Sequence, residues 1–158
     1  MFFKKVRMIL LLLLMMAIAV SSLAEIDPYE VYVICQPGDY VNVRLNPSRK
    51  SEAVGYADSG DYVLTDGKTK NGFLRVYGIG EMGVGWIHNG YVVEDEPQRV
   101  NCTGIVTSKG KLAARKYIKG KVRKWLHNMD KIKVYWITDD WCVTSEGFVK
   151  TEFLDFEW

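Results

Sequence analysis

Histidine and cysteine are scarce in this 158-residue chain, which holds two of the first and three of the second. Neither His88 and His127 nor Cys35, Cys102 and Cys142 fall at zinc-ligand spacing, so no metal is expected. A cysteine nucleophile needs a histidine within hydrogen-bond reach and usually a third group to orient it. His88 follows Trp86-Ile87 in a polar turn and His127 opens the loop-prone His127-Asn128-Met129-Asp130, so both read as surface residues. After residue 24 no segment has the length and period of a helix. A glycine loop that cradles phosphate at a helix start is therefore not expected. The carboxylate runs Asp139-Asp140 and Glu94-Asp95-Glu96 sit in turn or linker positions and read as solvated. Together these absences point away from an enzyme and from a bound cofactor.

A full membrane-spanning run is missing as well. Met8–Val20 is an uninterrupted apolar stretch of thirteen residues, shorter than the roughly 20 that cross a bilayer as a helix. Lys4, Lys5 and Arg7 precede it and Ser22-Leu23-Ala24 follow it. This is the layout of a secretory signal over residues 1–24, cleaved after Ala24; an uncleaved anchor is the alternative. The expected location is secreted or at the cell surface.

What remains says the same thing twice. Gly38-Asp39-Tyr40-Val41-Asn42-Val43-Arg44-Leu45 opens a stretch that closes at Gly85-Trp86-Ile87-His88-Asn89-Gly90-Tyr91-Val92. Gly110-Lys111-Leu112-Ala113-Ala114-Arg115 opens another, closing at Gly147-Phe148-Val149-Lys150-Thr151-Glu152-Phe153-Leu154. Between them lie short alternating apolar runs bounded by turn residues such as Asp66-Gly67 and Asn71-Gly72, the pattern of an all-β protein. The expectation is two tandem small β-barrels, residues 31–94 and 98–158, joined by the charged, proline-bearing Glu94-Asp95-Glu96-Pro97-Gln98. Each is about 60 residues, a size marginal in isolation, so a packed interface or a covalent link between the halves is expected.

Charge divides along the same line. Residues 25–96 hold six basic and twelve acidic side chains, and 97–158 hold twelve basic and seven acidic. Mutual attraction of the halves and an anionic partner for the second half are both open readings. The densest cationic stretch includes Lys119, Lys121, Arg123 and Lys124. Nucleic acid would use the same charges, but the secretion signal argues against it. Of the three cysteines at most one pair can bridge. Aligning Phe73-Leu74-Arg75-Val76 with Trp141-Cys142-Val143-Thr144 places Cys142 in the core, where the first half has Leu74. Cys35 and Cys102, each read as lying just before the first strand of its repeat, are the candidate disulfide.

The motifs resemble those of bacterial SH3-like (SH3b, SH3 type 3) domains in tandem. Val41-Asn42-Val43-Arg44-Leu45-Asn46-Pro47 is similar to the family's opening motif, Val54-Gly55 to its second strand, and Gly85-Trp86-Ile87 with Tyr91-Val92 to its close. The second copy diverges, with Ala113 for the asparagine and Phe148 and Phe153 for the closing aromatics. The resemblance covers nearly all the chain after residue 24. It implies a five- to seven-stranded barrel that commonly serves as a non-catalytic module and often binds peptidoglycan or its peptides. The expected function is a monomeric, secreted, non-catalytic binding protein for cell-wall peptidoglycan or an extracellular peptide or glycan, with anionic wall polymers as further ligands. The alternative is a protein-interaction or scaffold module, an inhibitor-like one included, that docks on another secreted protein. Candidate ligand residues are Asn42, Arg44 and Tyr56, with Trp86 and Tyr91 as a groove floor, and Trp125 with the basic stretch in the second copy. Arg44 also admits a structural role, holding loop carbonyls, since Arg115 repeats it.

Overall fold

The computed structural model describes residues 27–78 and 83–158. Residues 1–26, on which the expected secretory signal falls, and residues 79–82 lie outside the described residues. The chain is all-β, folded as two antiparallel sheets of seven strands. The first sheet comprises β1 (Tyr29–Val33), β2 (Val41–Arg44), β3 (Ala53–Ala57), β4 (Tyr62–Lys70), β5 (Phe73–Tyr77), β6 (Val84–His88) and β7 (Val92–Val93). The second comprises β8 (Gln98–Val106), β9 (Leu112–Arg115), β10 (Val122–Leu126), β11 (Lys131–Ile137), β12 (Trp141–Thr144), β13 (Gly147–Lys150) and β14 (Leu154–Glu157). The strand order β3-β2-β6-β5-β4-β1-β7 recurs as β10-β9-β13-β12-β11-β8-β14. In each half a 3-10 turn stands just before the last strand, Asn89–Tyr91 before β7 and Thr151–Phe153 before β14.

Alternation sets the strands. In β2, Val41 and Val43 are buried while Asn42 and Arg44 face outward, as a period of two requires. Val31, Val33, Val41, Val43, Val63, Leu74, Val76 and Ile87 form one cluster. Strands from opposite ends of the sheet order thus share a core, so the sheet wraps over itself. Cys102, Val106, Leu112, Leu126, Ile132, Val134, Cys142 and Val149 do the same in the second half. Cys142 is fully buried there.

Of the two turns expected here, one forms and one does not. Asn71-Gly72 is the tight turn between β4 and β5, with Lys70 paired to Phe73 and both turn residues at positive φ, as a two-residue hairpin of this hand demands. Asp66-Gly67 is not a turn between strands. It is a bulge inside the nine-residue β4, where the register with β5 shifts between Thr65 and Thr69. The bulge aims Asp66 back at Arg75 of the neighbouring strand.

The disulfide expectation is corrected. Cys35, Cys102 and Cys142 are all free and buried. Cys102 lies within β8, which begins at Gln98, and packs in the second core, whereas Cys35 packs in the first. Their repeat positions also differ, since Val33 and Val106 are the counterparts that donate to Asp61 and Asp130.

Packing, not a covalent link, joins the halves. Ile34 and Val93 of the first half cluster with Trp141, Val143 and Phe148 of the second, with Tyr32, Tyr91, Tyr117 and Trp136 packed around them. Every residue of β12 is buried. Its inward face serves the second core and its outward face meets the first half. Ile118 N–H donates to the Gly90 carbonyl at 2.9 Å and Gln36 Nε2 donates to the Thr144 carbonyl at 3.1 Å. Among the described residues no ion pair crosses the junction. The opposite charges of the halves are therefore not used in direct contacts there.

Candidate functional site

The outward faces of β2 and β3 carry the first group of candidate residues. Asn42 pairs with Tyr56 across the two strands. Tyr56 is 65% exposed and Tyr40, just before β2, is 59% exposed. Their rings lie 5.6 Å apart, tilted by 59°. With Asn42, Ala53 and Gly55 they line a shallow groove of about 530 Å³. Such rings offer an apolar face with a polar handle. Tyr40 was missed as a site residue; its place two residues before Asn42, in the same alternation, is the sequence signal for it.

Trp125 occupies the same step of the second half. It pairs with Ala113 on β9 as Tyr56 pairs with Asn42 on β2, and it is 51% exposed. The asparagine of the first groove has no counterpart, because Ala113 stands in its place.

The remaining candidates separate from this groove. Arg44 Nη1 donates to the Ser51 carbonyl at 2.6 Å, and Arg115 Nη1 donates to the Gly120 carbonyl at 2.8 Å. Both arginines thus hold the loop that follows their strand. Trp86 is half-buried on the outer face of β6, paired with Arg44 on one side and Arg75 on the other. Tyr91 does not floor the groove. It packs at the junction, its ring 5.9 Å from Phe148 and 5.7 Å from Tyr117. The four cations do not form one face: Lys124 pairs with Glu146 at 2.9 Å, and Lys119 shares a depression with Glu94, Asp95 and Asp140. Lys121 and Arg123 are exposed at the β10 end of the sheet.

His88 is not the free surface residue expected. Its ring stacks edge-on with Tyr117 at 4.6 Å and with Phe73 at 5.4 Å. Its Nδ1 accepts from the Gly90 N–H at 3.1 Å, and Arg49 approaches Nε2 at 3.0 Å while donating to the Tyr117 hydroxyl at 3.1 Å. Burial, then the Arg49 charge, hold the imidazole pKa below its ordinary value. Protonation is thus disfavoured in the folded chain relative to the unfolded one. Stability of the junction is therefore expected to be full above pH about 6.5 and to fall as acid brings the pH down through the lower folded value. Thermal melts across that range, for the parent and for His88→Gln, check this; the variant should lose most of the dependence.

The thiols are in poor condition for chemistry. Burial pushes Cys35 and Cys142 up to about 11 and raises Cys102 as well. Cys35 Sγ donates to the Asp39 carbonyl at 3.2 Å and Cys142 Sγ lies 3.4 Å from Thr151 Oγ1. A buried, protonated thiol is inert as a nucleophile. Among the described residues no group of three or more histidine, cysteine or carboxylate side chains is placed to hold a metal.

No protein-family model matches the chain, and no curated protein does. Among solved structures it is similar to NlpC1 from Trichomonas vaginalis, at 13% identity and a TM-score of 0.36, over 87% of this chain and 49% of that one. NlpC2 from Trichomonas vaginalis gives 11% identity and 0.36, over 85% and 50%. The chain spans about half the length of either protein.

Proposed function

We propose that the chain is an extracytoplasmic, non-catalytic binding protein of two SH3-like halves that takes a cell-wall peptide or glycan across exposed aromatic rings on its outer faces. The observation that supports this most is the register match of Tyr56 and Trp125. A large aromatic left in solvent at the same step of both halves, against the tendency to bury such rings, reads as a contact surface. The motif Val41-Asn42-Val43-Arg44 and its closing partner Gly85-Trp86-Ile87 support the SH3-like reading. The buried thiols, each held protonated, support a role without covalent chemistry. Lys121 and Arg123 add an anionic wall polymer as a second contact, weaker in salt.

Co-sedimentation with purified peptidoglycan, with and without teichoic acid, tests the reading. Tyr56→Ala and Trp125→Ala, both at exposed positions, should each weaken retention roughly tenfold while the melting temperature stays unchanged. Lys121→Ala with Arg123→Ala should weaken only the arm containing teichoic acid. Equal retention of all variants, or release of soluble wall fragments by the parent, would reject it.

A further inference from the structure

A second, chemically different recess lies where the halves meet. It has a volume of about 540 Å³, within the roughly 300–1,000 Å³ of small-ligand sites. Asp39 and Asp58 of the first half line it, and Arg99 and Lys133 of the second half line it too. The carboxylates and the cations therefore come from different halves. Among the described residues none of the four makes an ion pair within 4 Å, with each other or with anything else. The polar contacts of Asp39 and Asp58 are backbone ones: the Asp39 carbonyl accepts from the Cys35 thiol, and the Asp58 N–H donates to Asp61. Among the described residues neither carboxylate has a hydrogen-bond or ion-pair partner.

Apolar surface is supplied by two aromatic residues. Lys133 Nζ lies 5.6 Å from the Tyr135 ring centre. The Trp136 ring covers Gly60, where an added Cβ would meet Cη2 at 3.0 Å. Gly60 also has a φ of +96°, so two independent reasons keep a side chain away from that point of the junction.

Opposite charges held apart on the two sides of a recess favour one kind of ligand. A lone anion or cation gains near one pair and loses near the other. A molecule with an ammonium at one end and a carboxylate at the other gains from both, and a cleft with low-dielectric walls concentrates that field. We propose that this recess is a binding site for a short dipolar peptide with free termini, its ammonium on Asp39 and Asp58 and its carboxylate on Arg99 and Lys133. The site is distinct from the aromatic groove and stands whether or not that groove binds wall material.

Titration calorimetry of the full chain with di-, tri- and tetra-alanine tests it, using free, N-acetylated and C-amidated forms of each. One length of the free peptide should bind at least about tenfold more tightly than either capped form, and less tightly in high salt. In Asp39→Asn with Asp58→Asn the penalty for N-acetylation should vanish. In Arg99→Gln with Lys133→Gln the penalty for amidation should vanish, and Tyr56→Ala should change neither. Equal affinity for free and capped peptides, no binding of any free peptide by the unmodified chain, or penalties that persist in the neutral variants would overturn the proposal.

Discussion

Phe148→Ala is expected to destabilise the chain by about 3–5 kcal/mol and to disrupt both halves in one transition. Phe148 is 1% exposed and lies in the cluster that joins the halves, against Tyr91. Its counterpart Trp86 occupies the same step of the first half, pairing with Arg44 as Phe148 pairs with Arg115. Trp86 is half-buried on an open face, whereas Phe148 is covered by the other half. Halves of about 60 residues bury too little surface to be robust alone, so removing the ring that bridges them weakens both. Denaturant unfolding followed by tryptophan fluorescence and by far-ultraviolet circular dichroism checks this. Coincident curves shifted to lower denaturant are expected. Loss of the second half alone, with the first melting unchanged, would show that the junction contributes little.

Gly147→Ala is the second large effect, expected to cost roughly 3–4 kcal/mol from backbone strain and steric overlap together. Gly147 has a φ of +129°, a conformation that side chains strongly disfavour. A Cβ there would also overlap the Arg115 carbonyl oxygen on β9, which is backbone and has no rotamer to escape into. Gly85, its repeat counterpart, has no positive φ, and its added Cβ would overlap a Val43 methyl. The same substitution at Gly85 is therefore expected to cost less, roughly 1–3 kcal/mol. Melting both variants side by side separates the two cases. An equal loss at the two positions would mean that the Arg115 carbonyl gives way.

The duplication and the strand positions were legible because each half buries one face of short strands, which leaves an alternation that Val41-Asn42-Val43-Arg44 displays openly. Cys142 was placed correctly by setting it against Leu74. The junction was harder to read. Its signal is that Arg75 and Trp86 are replaced by Val143 and Phe148 at matching steps. That makes Trp141-Cys142-Val143 and Phe148-Val149 apolar on both faces, as strands covered on both sides are. Asp66-Gly67 misled because a bulge and a turn use the same residues, and only the cross-strand register tells them apart. Cys102 misled because the first strand of its repeat was placed after it, yet Val100, Cys102, Gly104 and Val106 share one alternation within β8. Of the site residues, Asn42, Tyr56 and Trp125 follow directly from face and register. The roles of Arg44, Tyr91 and His88 depend on contacts between segments distant in sequence, which spacing alone does not encode.

Backbone amide shifts of the labelled chain, recorded while solubilised peptidoglycan fragments are added, test the proposed activity most directly. The account expects saturable shifts at Tyr40, Asn42 and Tyr56, with a second set around Trp125, and fragment signals that stay intact over the titration. Shifts confined to other surfaces, no shifts at all, or fragments cleaved during the experiment would contradict it.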